Sequence, residues 1–148
     1  MKRQIEDYLR ARGMQYFRGH HDDEYFFLVD FLAGAYRGRL YVHLQVCEGE
    51  PDAVLLTISP DRYYSAEKAQ WLSTLAERWN AEDPPVRVTV HGSCDPHLVG
   101  VQARSRNRPD DVAALTVFVD DAVAAGIDVF GRMSAAAIPA SNTLRDAG

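Results

Sequence analysis

Three apolar segments separated by short breaks constrain this chain more than any other feature: Glu24–Ala33 (EYFFLVDFLA), Arg39–Cys47 (RLYVHLQVC) and Ala53–Ser59 (AVLLTIS). In the second, Leu40, Val42, Leu44 and Val46 alternate with Arg39, Tyr41, His43 and Gln45. A period of two sends successive side chains to opposite faces of a strand, so this segment has one apolar and one polar face. The breaks, Gly34-Ala35-Tyr36-Arg37-Gly38 and Glu48-Gly49-Glu50-Pro51-Asp52, carry the residues that turns use. Consecutive strands joined this way form an antiparallel meander. The first segment differs from the second. Tyr25, Phe27, Val29 and Phe31 oppose Phe26, Leu28 and Leu32, so both of its faces are apolar.

Helical spacing flanks the meander. Ile5, Tyr8, Leu9 and Arg12 recur at that spacing, and Gly13 suits a left-handed C-cap. Met14–Arg18 reads as a short strand and Gly19–Glu24 as a turn. Ser65 can cap a helix carrying Ala69, Leu72, Leu75, Ala76 and Trp79 on one face, stopped by Asn80 and Pro84-Pro85. Val86, Val88 and Val90 then alternate with Arg87, Thr89 and His91, and after Gly92–Pro96 the chain returns through Leu98–Arg104. Pro109 suits the first turn of a last helix whose stripe is Val112, Leu115, Val119, Ala122 and Val123, ending between Gly126 and Gly131. The expected fold is α+β: an antiparallel sheet of five to six strands in the order α-β-β-β-α-β-β-α. Residues 1–132 form one domain in this reading. Residues 133–148, low in hydrophobicity and broken by Pro139, form a flexible tail.

A chain of 148 residues buries roughly 68–70% of its unfolded surface on folding, so neither metal nor disulfide is needed to hold it. Cys47 and Cys94 lie in separate segments and read as reduced thiols. With no signal-like stretch and no apolar run long enough for a bilayer, the expected compartment is the cytoplasm and no membrane partner is expected. The formal charge is −5. Its one dense basic stretch, Arg104-Ser105-Arg106-Asn107-Arg108, is followed at once by Asp110 and Asp111, which argues against nucleic acid.

Candidate chemistry is sparse. His20, His21, Asp22, Asp23 and Glu24 have metal-binding atoms, but neighbours in an extended segment point to opposite faces and a zinc site needs three or four converging ligands. This cluster reads as a solvated turn. His91, Cys94 and His97 share an H-x-x-C-x-x-H spacing around one hairpin loop. They are the better metal or thiol candidate, although Gly92, Ser93, Asp95 and Pro96 are what such a loop needs for backbone reasons. No phosphate loop, dinucleotide turn or nucleophile elbow is present. No catalytic residue, metal or cofactor is therefore assigned. The side chains assigned to partner binding are Phe26, Leu28 and Tyr41 on the meander, with Tyr63 and Tyr64 before the central helix.

The element order, the segment Leu75-Ala-Glu-Arg-Trp79-Asn80, the proline break after it and the strand rising from Val86 together resemble the YbjN family over about residues 1–132. That family's fold resembles type III secretion chaperones. The resemblance implies a non-enzymatic homodimer that binds a protein or peptide client. The two-faced Glu24–Ala33 strand supports a second cover for the sheet, whether a symmetric partner or a bound peptide. The alternative is a small enzyme using His91, Cys94 and His97.

Overall fold

The computed structural model describes residues 1–20, 23–33 and 36–134. Its elements are α1 (Lys2–Ala11), β1 (Phe17–Arg18), β2 (Glu24–Ala33), β3 (Tyr36–Cys47), β4 (Glu50–Pro60), β5 (Tyr64–Ser65), a 3-10 turn (Ala66–Lys68), α2 (Ala69–Ala81), β6 (Arg87–Gly92), β7 (Leu98–Asn107) and α3 (Val112–Ser134). The strands pair antiparallel in one sheet, ordered β1-β2-β3-β4-β7-β5, with β6 on β7 as well. β4 and β5 share one edge of β7, pairing with Ala103–Asn107 and Leu98–Val99 respectively, while β6 takes the other edge from Val99 to Arg104.

Strand alternation decides which face is buried. Tyr25, Phe27 and Phe31 of β2, Leu40, Val42, Leu44 and Val46 of β3, and Val54, Leu56 and Ile58 of β4 all enter one core. Val88, Val101 and Ala103 extend it across the β6–β7 hairpin. The helices close that face from one side. Leu115, Val119, Ala122, Val129, Phe130 and Met133 of α3 are buried in the same core, and Ile5, Tyr8 and Leu9 of α1 join them. Gly131 allows α3 to close on β2, because a Cβ there would meet the Cβ of Ala33 at 3.0 Å. Tyr8 donates to Asp120 at 2.9 Å and Tyr25 to Glu6 at 3.1 Å, tying α1 to α3 and to the sheet. Burial and the Glu6 carboxylate push the Tyr25 phenol up to about 12.

Trp79 and Asn80 anchor α2 to the far hairpin. Trp79 Nε1 donates to the Val86 carbonyl at 2.9 Å. Asn80 donates to the Val88 carbonyl at 2.8 Å and accepts from the Val88 N–H at 2.9 Å. Asn80 satisfies backbone groups that edge strand β6 would otherwise leave unpaired, and Trp79 satisfies the carbonyl just before that strand.

Several sequence expectations need correction. The sheet has seven strands rather than five to six, because β5 adds a two-residue strand at Tyr64–Ser65; the short strand expected over Met14–Arg18 is β1, confined to Phe17–Arg18. The first hairpin loop is shorter than the Gly34–Gly38 break suggests: β3 begins at Tyr36, and Gly38 pairs within it opposite Phe31. The second turn is Glu48-Gly49 alone, with Gly49 at φ 77°. Ser65 caps the 3-10 turn, accepting from the Glu67 N–H, rather than α2 directly. Pro109 precedes α3, whose first turn is capped by Asp111 accepting from Ala114 N–H at 2.8 Å. α3 runs on past Gly126 and Gly131 to Ser134. Two glycines cost a helix about 1 kcal/mol each, but burying Val129, Phe130 and Met133 outweighs that. The tail assigned to 133–148 thus begins with two helical, buried residues, and 135–148 lie outside the described residues.

Asn80→Ala removes both hydrogen bonds to Val88 while touching no apolar contact of the core. It is expected to lower the unfolding free energy by about 2 kcal/mol, measured by urea denaturation. A loss under about 0.5 kcal/mol would show that water replaces the amide freely and that the clamp is not structural.

Candidate functional site

Among the described residues, no helix covers the second face of the sheet. Its composition follows from the register. Phe26 pairs with His43, His43 with Thr57, Thr57 with Arg104 and Arg104 with Arg87, so these five form one row across five strands. Leu28, Tyr41 and Ser59 begin the next row, and Gln102 and Thr89 end it. With strands about 4.8 Å apart, a row spans about 19 Å. One end is apolar and the other cationic.

At the apolar end Phe26, Leu28, Tyr41 and Leu32 are 39%, 44%, 50% and 65% exposed, and Phe17 of β1 lies beside Phe26 at 64%. The two-faced strand of the sequence is therefore apolar toward the core and apolar toward the outside. Its edge is open as well. Glu24 accepts from Gly19 N–H on the β1 side, so by the alternation of an antiparallel ladder Phe26, Leu28, Asp30 and Leu32 turn their peptide groups the same way. β1 pairs only at Tyr25 and Phe26. Among the described residues, no strand takes the peptide groups of Leu28, Asp30 and Leu32.

His43 sits between the two ends. Its ring stacks on Phe26 with centroids 4.4 Å apart and planes 10° from parallel. Desolvation holds its pKa below the ordinary value, opposed by the nearby Glu24 and assisted by Arg104. The Nε2 to Glu24 Oε1 distance is 3.8 Å, too long for a hydrogen bond.

The cationic end is less obvious. Arg106 pairs with Glu50, and Arg108 reaches Glu50 at 2.8 Å and Asp52 at 3.3 Å. Arg104 and Arg87 are different: they stand directly opposite each other, and neither has an acidic partner among the described residues.

Of the five sequence-assigned partner-binding residues, the structure brings Phe26, Leu28 and Tyr41 together. Tyr63, 48% exposed, joins Tyr41 at a hollow of ≈ 380 Å³ lined also by Ser59, Arg62, His91 and Gln102. Tyr64 does not belong with them. β5 pairs it with Val99, and its side chain is fully buried in the core, so it cannot touch a partner. Tyr63 precedes β5 and stays exposed, whereas Tyr64 opens that strand with its side chain in the core.

The metal and thiol candidates disperse. His91 lies on the open face with its ring over Gly100, where a Cβ would come within 2.4 Å of it. Cys94 is exposed. Ser93 organises the loop instead, donating to the carbonyls of Asp95 and Leu98 at 2.8 and 2.9 Å. Among the described residues no group of three or more His, Cys, Asp and Glu side chains converges to hold a metal ion. Of the acidic and histidine cluster at 20–24, His21 and Asp22 lie outside the described residues. No described helix is long and apolar enough to cross a membrane.

Sequence reasoning missed Arg87, Thr57 and Gln102 as members of the face. Alternation puts Arg87 outward, but only the strand order sets it against Arg104.

A histidine whose folded pKa is depressed resists protonation that the unfolded chain accepts. Stability should therefore be full above the ordinary value of 6.5 and decline as pH falls through the folded value. Thermal midpoints measured from about pH 8 to about pH 5 are expected to fall less in His43→Phe than in the parent. Parallel curves would show that burial does not depress the His43 pKa.

No protein-family model matches the sequence, and no curated protein matches it. A search of solved structures finds YbjN from E. coli, presented as a candidate transcription regulator, at 12% identity and a TM-score of 0.65, covering 90% of each chain. The chain therefore has the fold of YbjN, an α+β arrangement around an antiparallel sheet, and the likeness drawn from Trp79-Asn80 and the element order holds at the level of fold.

Proposed function

We propose that this chain is a non-enzymatic, chaperone-like or regulatory protein-binding module that works in the cytoplasm as a homodimer and takes a segment of a client polypeptide. The observation that carries the reading is the open face of the sheet, where Phe26, Leu28, Tyr41 and Tyr63 are exposed together. Contiguous exposed aromatic and aliphatic side chains mark interaction surfaces. The unpaired edge at Leu28, Asp30 and Leu32 supports strand addition by a second copy, which leaves the face itself to the client. The likeness to type III secretion chaperones belongs to this reading. A regulator would act by the same means, since regulation through a partner needs a surface rather than a catalytic group. No geometry favours an enzyme at His91, Cys94 and His97.

Native mass spectrometry of the protein purified from its own host tests both halves. The expected species is a homodimer carrying a polypeptide. Leu28→Pro deletes an N–H that faces the open edge and spares the β2–β3 ladder, so it should yield folded monomer. Phe26→Glu with Tyr41→Glu should leave the dimer and lose the polypeptide. A monomer with one stoichiometric metal ion would overturn the proposal.

A further inference from the structure

We infer that the client segment is acidic as well as apolar, and that its carboxylates bind Arg87 and Arg104 while its apolar side chains rest on Phe26, Leu28 and Tyr41. This rests on the open face being the binding surface. The argument begins with a cost. Like charges directly opposite on a sheet repel, and Arg87 faces Arg104 on β6 and β7. The chain has acids at hand for such arginines: Glu50 and Asp52 hold Arg106 and Arg108, two and four residues beyond Arg104. Nothing described does this for the Arg87 and Arg104 pair, in a protein whose formal charge is −5.

Two guanidiniums side by side offer a fork of donors to carboxylates. The row then continues through Thr57 and His43 to Phe26, so one ligand about 19 Å long meets cations at one end and aromatic rings at the other. Extended chain covers that distance in about six residues. A polyphosphate fits less well. Among the described residues only Arg87 and Arg104 stand there without an acidic partner, too few cations to hold a long polyanion. The apolar half would also go unused.

The test is selection of random 16-residue peptides displayed on phage against the full-length protein, followed by fluorescence anisotropy of synthetic versions. The expected outcome is peptides enriched in Asp and Glu beside Phe, Leu or Tyr. Their affinity should fall about tenfold or more in Arg87→Gln with Arg104→Gln, and fall also in Phe26→Glu with Tyr41→Glu. Replacing the peptide acids with Gln or Asn should cost the parent as much as the arginine change does. The Arg87→Gln, Arg104→Gln protein should melt no lower than the parent, because it loses only repulsion; a lower midpoint would make the arginines structural and overturn the inference. Selected peptides that lack acids, or that ignore the arginine change while responding to Phe26→Glu with Tyr41→Glu, would leave the binding module standing and sink its acidic preference. If no peptide binds, both readings fail. Tighter binding of a single-stranded DNA 20-mer than of any peptide, lost with the arginines, would replace the carboxylate ligand with a phosphate one.

Discussion

The structure depends on one-sided burial. α3 lies against the inner face of the sheet, and its Val119, Ala122, Val129 and Phe130 complete a core whose floor is Leu40, Leu44, Leu56 and Ile58. α1 and α2 pack beside it on the same side, α1 through Tyr8 and Asp120 and α2 through Trp79, Asn80 and β6. Once all described helices stand on one face, the other must live in water or under a partner. For β3 the outward residues Arg39, Tyr41, His43 and Gln45 suit water. For β2 they do not: Phe26, Leu28 and Leu32 face outward with the large residues Tyr25, Phe27 and Phe31 behind them. The face that carries the proposed function follows from where the helices went.

The cationic end of that face is positioned from behind. Asn80 grips the Val88 peptide group from the helix side, and Val88 points inward while its neighbour Arg87 points outward. A half-buried amide thus sets the register and height of an exposed arginine. The same hairpin carries His91 over Gly100, so Gly100 gives the ring a seat that a side chain would fill. These contacts make the open surface a rigid consequence of the core, and a rigid surface loses less entropy when a partner orders on it.

Much of this was legible from sequence because hydrophobic alternation reports faces directly. The Arg39–Cys47 pattern names the buried and exposed sides of β3 residue by residue, and the two-sided character of Glu24–Ala33 points to the surface that stays open. Trp79 and Asn80 were recognisable as a signature but not as a clamp, since the pattern does not say that an amide reaches across to Val88. β5 was missed because two residues carry no period, and with it the burial of Tyr64, which a tyrosine pair in a charged loop does not betray. The end of α3 was misplaced because glycines argue locally for a stop, while Phe130 and Met133 are held by tertiary packing that no local window contains. The Arg87 and Arg104 pair needed the order β4-β7-β6, which comes from long-range pairing.

An open β edge and an apolar face are hazards for any soluble protein, and sheets ordinarily blunt them with lysine, proline, bulges or a covering element. Along the open stretch of β2 from Leu28 to Leu32 the one charge is Asp30, and Arg39 on the neighbouring strand holds its carboxylate, donating from Nε at 2.7 Å and lowering its pKa. The guard is therefore partly neutralised from within the sheet. Directly opposite along the same face, the Arg87 and Arg104 pair does the reverse, raising the local positive charge where pairing acids would have been simple to supply. An edge left unblocked at one end and a cation pair left uncompensated at the other cost the isolated chain stability. A surface that combines both is more economically explained by ligands that satisfy each feature than by two independent defects, and this is the physical reason for treating edge and face as separate docking sites rather than one.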